Sequence, residues 1–291
     1  MAQDTPQTPK DIEPLARIAR FSWDWAPALC APGDGCADYH RAWSMLRLVQ
    51  AQGKPPAGWA FFHAEIARAA AQGARRVLIS GGADTGVLAI VASGFRNAGV
   101  APQITYVDRC ATPVMQNRLL GAELGLDLTA RTADMLTFRA EGMDLVIAHS
   151  FLVFFPRDQR GRVVANWAAS LVPGGAVLMS GALAEDGEGE PWRPAGADDI
   201  PTRQARLTEQ ARAAGLAPAK ATELAEVAGR FWTTRPTRRT GPLAETELRG
   251  LFEAAGLTVE RVDYTAKSTA ARTGTGTVRR CRAEIVARKP A

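Results

Sequence analysis

The chain has 291 residues, 46% of them apolar, and its 35 Lys and Arg outnumber its 30 Asp and Glu for a net charge of +5. That is enough apolar material for a sizeable core, in one elaborated domain or a core with a small accessory part. No run reaches the ~20 uncharged apolar residues that span a bilayer. The basic excess is no nucleic-acid signal: five of the cations are Lys, the rest are Arg, and most are interspersed with acids, a bias typical of a GC-rich genome.

Met1 to Glu13 mixes Asp4, Lys10, Asp11 and Glu13 with Gln, Thr and Pro. It lacks the apolar stretch of a signal peptide and reads as a frayed tail, so the expected location is cytoplasmic. Ala16 to Gln72 reads as helical, with the aromatics Phe21, Trp23, Trp25, Tyr39, Trp43, Trp59, Phe61 and Phe62. Apolar surface on these helices is compatible with a homodimer. Cys30 and Cys36 flank the tight turn APGDG; with Cys110 and Cys281 far off, the spacing matches no common zinc pattern. The expectation is free thiols and no metal.

Strand and helix alternate from Gln72 to Leu183. Arg75 to Gly82 is a short buried strand running into glycines. Asp84 or Thr85 caps a helix whose apolar positions Val87, Leu88, Ile90, Val91 and Phe95 follow helical spacing, and Gly99 ends it. Gln103 to Asp108 is a second strand. Thr112-Pro113 reads as N-cap and first helical residue, for a helix ending near Gly125. Leu128 to Ala133 and Asp144 to His149 are the third and fourth strands. Arg157 to Leu171 is a helix, and Pro173-Gly174-Gly175 turns into a fifth strand over Ala176 to Ser180. Near-continuous apolar strands separated by helices predict an α/β fold with a mostly parallel, doubly wound Rossmann-like sheet. Its ligand is expected at the carboxyl ends of the strands.

Ala184 to Gly241 opens with an acidic, Gly- and Pro-rich stretch and continues as two helical pieces, near Thr202–Gly215 and Ala219–Phe231. Arg230, Arg235, Arg238 and Arg239, beside Phe231 and Trp232, form an acid-free cluster suited to an acidic group or, more simply, a solvated loop. Leu243 to Leu257 reads as a helix. Thr258 to Ala266 and Arg280 to Arg288 read as antiparallel strands added to the sheet. The expected division is a helical cap over 1–72, a core over 73–183, a helical insertion and substrate lid over 184–241, and a core-completing piece over 242–291.

The first strand ends in Ser80-Gly81-Gly82-Ala83-Asp84-Thr85-Gly86, where small residues let the backbone approach a ligand before a helix N-terminus. Asp108 ends the second strand, where a carboxylate accepts both hydroxyls of a ribose. These two features suit NAD and S-adenosylmethionine (SAM) alike. The stretch Arg75 to Leu183 further resembles the class I SAM-dependent methyltransferases in the order of its motifs. The glycine turn and Asp108 in TYVDRC come first. Ala133-Asp134-Met135 is similar to the adenine-binding motif, DLVIAHSFLVFF to the motif nearest the methyl group, and LVPGGAVLMS to the entry to strand five. FEAAGLTVERVDY is similar to the passage into strand six. The resemblance implies a seven-stranded sheet with an antiparallel last strand, SAM as cofactor, and Ser80, Gly81, Gly82, Asp84, Asp108, Arg109, Asp134, Met135, His149 and Phe151 as its contacts. It also implies in-line methyl transfer to a small molecule. The chain departs from the family at Ile79, where an acid is frequent, and at Ala83 and Thr85, where glycines are frequent. The amino group of SAM then falls to Ser80, Asp84 or an N-terminal residue.

His149 ends the fourth strand and is the leading base or substrate-orienting group; a histidine bonded to backbone is the plain alternative. Tyr39 and His40 are candidates for closing the pocket, and Trp43, Trp232 and Arg235 for touching substrate. His63 reads as core or surface. The stretch HSFL carries no N-P-P-Y signature, which speaks against nucleic-acid and protein glutamine substrates. Three other uses of the same features stay open: release of methylthioadenosine by cyclisation or elimination, SAM binding without turnover, and hydride transfer with a nicotinamide cofactor.

Overall fold

A computed structural model describes residues 7–33, 35–50, 58–184, 199–238, 242–267, 271–273, 276–278 and 280–291, with side chains left out at 235–238 and 266–281. The acidic opening of the insertion, Arg239, and the side chains of Arg235, Arg238 and Cys281 therefore lie outside the described residues.

The N-terminal segment forms helices α1 (Pro9–Ile12), α2 (Leu15–Leu29), α3 (Cys36–Val49) and α4 (Trp59–Ala71). The frayed-tail expectation is corrected at its end. Ile12 and Glu13 are buried, because Glu13 meets Arg47 of α3 and Thr85 beyond the glycine turn.

The core alternates β1 (Arg76–Ser80), α5 (Gly86–Asn97), β2 (Gln103–Asp108), α6 (Ala111–Glu123), β3 (Asp127–Thr132), β4 (Met143–His149), α7 (Arg157–Ser170) and β5 (Leu171–Ala184). Helices α8 (Ile200–Ala213) and α9 (Pro218–Arg238) form the insertion. They are followed by β6 (Leu243–Ala244), α10 (Glu245–Ala254), β7 (Thr258–Lys267), the small ribbon β8 (Ala271–Thr273) and β9 (Gly276–Val278), and β10 (Arg280–Arg288).

The sheet runs β3-β2-β1-β4-β5-β10-β7, with β6 beside β5. The path of seven matches the expected sheet, and β6 makes an eighth strand. Strands β1 to β5 are mutually parallel. The two C-terminal strands are antiparallel to each other; β7 runs with the parallel set and β10, the last strand, opposes it, the antiparallel last strand that the resemblance implies. The order reverses between β1 and β4, the position where such sheets open a ligand crevice.

Two apolar layers cover the sheet. One joins Val77, Ile79, Ile104 and Ile147 to Phe62 and Ile66 of α4 and Leu88 and Phe95 of α5. The other joins Leu78, Val146 and Val177 to Trp167 of α7 and Phe252 of α10. Alternate strand residues feed opposite faces, as the two-residue strand period requires. A third cluster packs Ala42 and Leu46 of α3 against Leu207 of α8 and Leu224 and Phe231 of α9. The N-terminal and insertion helices thus bury each other. Of the basic cluster read as a loop, Arg230, Arg235 and Arg238 belong instead to α9, and Arg230 is paired with Asp38 of α3.

Several boundaries moved. The N-cap of α6 is Cys110, in extended conformation, rather than Thr112. Strand β5 starts before the Pro-Gly-Gly turn and continues past Ser180 through Ala184 because β10 pairs with it along that length. Leu243 and Ala244 leave the expected helix to pair with Leu183 and Ala184.

Candidate functional site

The crevice is built at the ends of β1, β2 and β4. After Ser80 the chain turns through Gly81, whose φ of 72° is left-handed and favours glycine. A Cβ on Gly81 would collide with the ring of Phe151, so the turn and the segment after β4 are in direct contact. Gly82 is similarly close to Tyr106, whose hydroxyl donates to the Gly82 carbonyl at 3.0 Å.

Asp108 stands where β2 ends. One carboxylate oxygen accepts the backbone N–H of Gly82 at 3.2 Å and the other that of Cys110 at 2.8 Å. Burial pushes its carboxyl above the usual range, against the downward pull of these N–H groups. A carboxylate has about four acceptor sites, so two backbone bonds leave capacity for ribose hydroxyls. Arg109 is exposed beside it. Asp134 is exposed after β3; one oxygen accepts the N–H of Leu136 at 2.9 Å, leaving the other free of that turn. The Met135 side chain is buried, and its carbonyl accepts from Asn166.

Two candidates for the amino group of the cofactor are otherwise engaged. The Ser80 hydroxyl is fully buried and accepts the indole N–H of Trp167 at 2.9 Å. Asp84 is buried, accepts the N–H of Gly86 at the start of α5, and binds Arg47 at 2.6 Å. Arg47 also spans both oxygens of Glu13. Burial alone would lower its pKa, but the carboxylates of Asp84 and Glu13 outweigh that and hold it above its ordinary value. This Glu13–Arg47–Asp84 network escaped the sequence reading, since its members are up to 71 positions apart (84 − 13) and no local pattern joins them.

His149 ends β4 opposite Ser180 of β5. Its Nε2 lies 2.7 Å from Nη2 of Arg282 on β10, and its ring is 6.3 Å from that of Phe62. A guanidinium only donates, so His149 accepts through Nε2 and carries its proton on Nδ1. The next residue, Ser150, has φ 51°, left-handed although it is not glycine, and its N–H donates to the Ser180 carbonyl at 2.7 Å. Such backbone strain gathers at functional sites, and no sequence signal announces it. Phe151 packs against Phe155 and Trp167.

Tyr39 is half-buried, its ring 5.3 Å from Phe231 of α9, 6.5 Å from Phe154 after β4 and 4.7 Å from His40. It joins the N-terminal helices, the insertion and the β4 end. His40 is buried, with Nδ1 3.2 Å from the Ala83 carbonyl. Trp43 is half-buried in the α3–α8–α9 cluster. Trp232 is buried in the same cluster with the Arg203 guanidinium 4.0 Å from its ring centre, so it is a core residue here. His63 lies 3.2 Å from Nδ2 of Asn97 on α5.

No family model matches the sequence, and no curated protein matches it at the sequence level. Solved structures do match. The 1,6-didemethyltoxoflavin N1-methyltransferase of Burkholderia thailandensis, solved with its substrate and S-adenosylhomocysteine, is 17% identical at a TM-score of 0.52, over 90% of this chain and 92% of that one. A mitomycin 7-O-methyltransferase is 16% identical at 0.47, over 97% and 74%. The SAM-dependent methyltransferase SibL is 17% identical at 0.48, over 97% and 70%. The strand order and the first of these likenesses give the chain the Rossmann-like fold of the class I SAM-dependent methyltransferases.

Proposed function

We propose that the chain is a SAM-dependent methyltransferase acting on a small molecule. The observation that carries this reading is Asp108 in its setting: a carboxylate at the end of β2, tied to the glycine turn of β1 with acceptor capacity left for two hydroxyls, in a sheet whose antiparallel last strand β10 lies between β5 and β7. Asp108 and Asp134 hold the nucleoside, through ribose hydroxyls and the adenine amino group respectively, and Gly81 and Gly82 give it backbone contact. The cofactor supplies a methyl group on a sulfonium, open to in-line displacement.

The protein's own part is alignment and exclusion of water. His149, held by Arg282, orients the substrate with its Nδ1–H. The nearby guanidinium favours a nucleophile already ionised in water, such as a phenolate or a carboxylate, over an amine that becomes cationic on methylation. Tyr39, Phe151 and Phe154 stand at the mouth of the crevice and would shield the bound substrate, with α8 and α9 packed over them as a lid.

Calorimetric titration with SAM, S-adenosylhomocysteine and NAD tests the cofactor. Binding of the first two is expected, weakened about 10- to 100-fold in Asp108→Ala by loss of charge-assisted hydrogen bonds. Absence of SAM and S-adenosylhomocysteine binding overturns the reading. Product analysis on a panel of phenols, carboxylic acids and amines then reads the reaction: S-adenosylhomocysteine supports methyl transfer, and methylthioadenosine alone refutes it.

A further inference from the structure

Three of the four cysteines, scattered along the sequence, meet at one point. Cys30 ends α2, Cys36 begins α3, and Cys110 caps α6. Sγ of Cys30 is 3.5 Å and Sγ of Cys36 3.7 Å from Sγ of Cys110. None of the three is in a disulfide. His40 stands four residues after Cys36, on the same face of α3. The three sulfurs and a ring nitrogen of His40 lie within 4.8 Å of one another.

From this geometry we infer a zinc site, formed by Cys30, Cys36, His40 and Cys110. Zinc binds thiolate at ~2.3 Å and imidazole at ~2.0–2.1 Å in a tetrahedron, which sets ligand atoms roughly 3.5–3.8 Å apart. The observed sulfur separations fall at that spacing, and small side-chain rotations bring in the rest. Three thiolates and one imidazole make a closed four-ligand set, the type that holds structure, and its softness selects zinc over magnesium or calcium.

The surroundings fit as well. The Ala83 carbonyl can only accept, so Nδ1 of His40 carries the proton, which leaves the lone pair of Nε2 for a metal held by the cysteines that the ring meets. A histidine ligand fixed by a backbone carbonyl on its other nitrogen is the usual outer-shell arrangement. Thr112 Oγ1 is 3.1 Å from Sγ of Cys30, a hydroxyl able to donate to a thiolate. Cys36 and Cys110 sit at the N-termini of α3 and α6, where the helix dipole favours negative sulfur. Gly35, with φ 68°, makes the turn that returns the chain from Cys30 to Cys36. The ion joins the α2–α3 hairpin to the β2–α6 turn, two residues past Asp108, and through His40 to the glycine turn. The site stands independently of the reaction the chain performs.

The test is metal analysis of the full chain, purified without chelator and with any histidine tag removed. About one zinc per chain is expected, falling below roughly a tenth in the Cys36→Ser/Cys110→Ser variant. Because that variant is at risk of misfolding, cobalt(II) is added to metal-stripped wild-type protein as a second measurement. Intense visible bands and a near-ultraviolet thiolate-to-cobalt band, weakened in His40→Gln, support the site. Zinc retained in the cysteine variant, or wild-type protein that carries no zinc and gives no thiolate–cobalt band, overturns it. So does a Cys30–Cys110 disulfide in protein kept under reducing conditions.

Discussion

Arg282 donates from Nη2 to Nε2 of His149 across 2.7 Å, so the histidine at the end of β4 has its accepting nitrogen turned to β10 and its proton on Nδ1. The proposed substrate-orienting role rests on this tautomer, in which Nε2 is engaged and cannot act as a base. Nitrogen-correlated NMR of the histidine rings is expected to show the Nδ1–H tautomer for His149 in the wild-type protein. In Arg282→Met the signal moves toward the mixture of tautomers seen for unconstrained imidazoles. An Nε2–H tautomer in the wild type would refute the orienting role and return His149 to the role of base.

Arg47 lies between Glu13 and Asp84, with side chains 8%, 2% and 5% exposed. Removing the cation leaves two buried carboxylates facing each other without compensation. Arg47→Met is expected to cost about 3–5 kcal/mol in urea unfolding. Glu13→Gln, which keeps an acceptor for Thr85, is expected to cost less. Equal small effects from both substitutions would show that water already reaches the network.

The sequence made the alternation of β1 to β5 with α5 to α7 legible because β1, β2, β4 and β5 are short apolar runs bounded by glycine, proline or acid; β3, with the sequence DLTART, is patterned only weakly. The same local reading had no access to pairing. Nothing in Gly181-Ala182-Leu183-Ala184 marks a strand; these residues extend β5 because β10 and β6 bind them. Thr112-Pro113 has the signature of a helix start, but Cys110 takes the extended conformation and α6 begins one residue later, at Ala111. Site residues divide in the same way. Gly81, Gly82 and Asp108 carry their roles in their positions at strand ends. Ser80 and Asp84 carry the right chemistry, but Trp167 and Arg47, distant in sequence, have claimed it. The cysteine cluster joins Cys30 to a residue 80 positions away, a separation no spacing rule covers.

Gly81 is closed to larger residues for two independent reasons, its φ of 72° and the Phe151 ring in the space a Cβ needs. Gly81→Ala is therefore expected to destabilise the fold by about 1–3 kcal/mol and to weaken SAM binding. Combining it with Phe151→Ala removes the collision but not the backbone strain. The double variant should regain part of the loss, a non-additivity that a double-mutant cycle measures. Strict additivity would place the whole cost in the backbone.

Trp232 is 5% exposed within the α3–α8–α9 cluster. Its truncation is a core deletion, expected to cost about 3–5 kcal/mol and to lower the melting temperature with or without ligand. A Trp232→Ala protein of unchanged stability that loses only substrate affinity would restore the substrate-contact role the sequence suggested.

His63 gives a pH signature unrelated to the site. Its Nε2 faces the Nδ2 of Asn97, a group that only donates, so a neutral ring is favoured. Burial lowers its pKa below the ordinary value, partly offset by a backbone hydrogen bond at Ser93. The unfolded chain therefore binds a proton more readily than the folded one. The stability contributed by neutral His63 is fully present above the unfolded pKa of ~6.5 and is lost as pH falls through that value toward the lower folded one. Urea midpoints measured from pH ~8 down to ~5 should fall more steeply for wild type than for His63→Gln, whose side chain keeps an acceptor for Asn97 and does not titrate. Parallel curves would mean that the ring takes up its proton in the folded chain as easily as in water, and that Asn97 turns its amide oxygen to meet it.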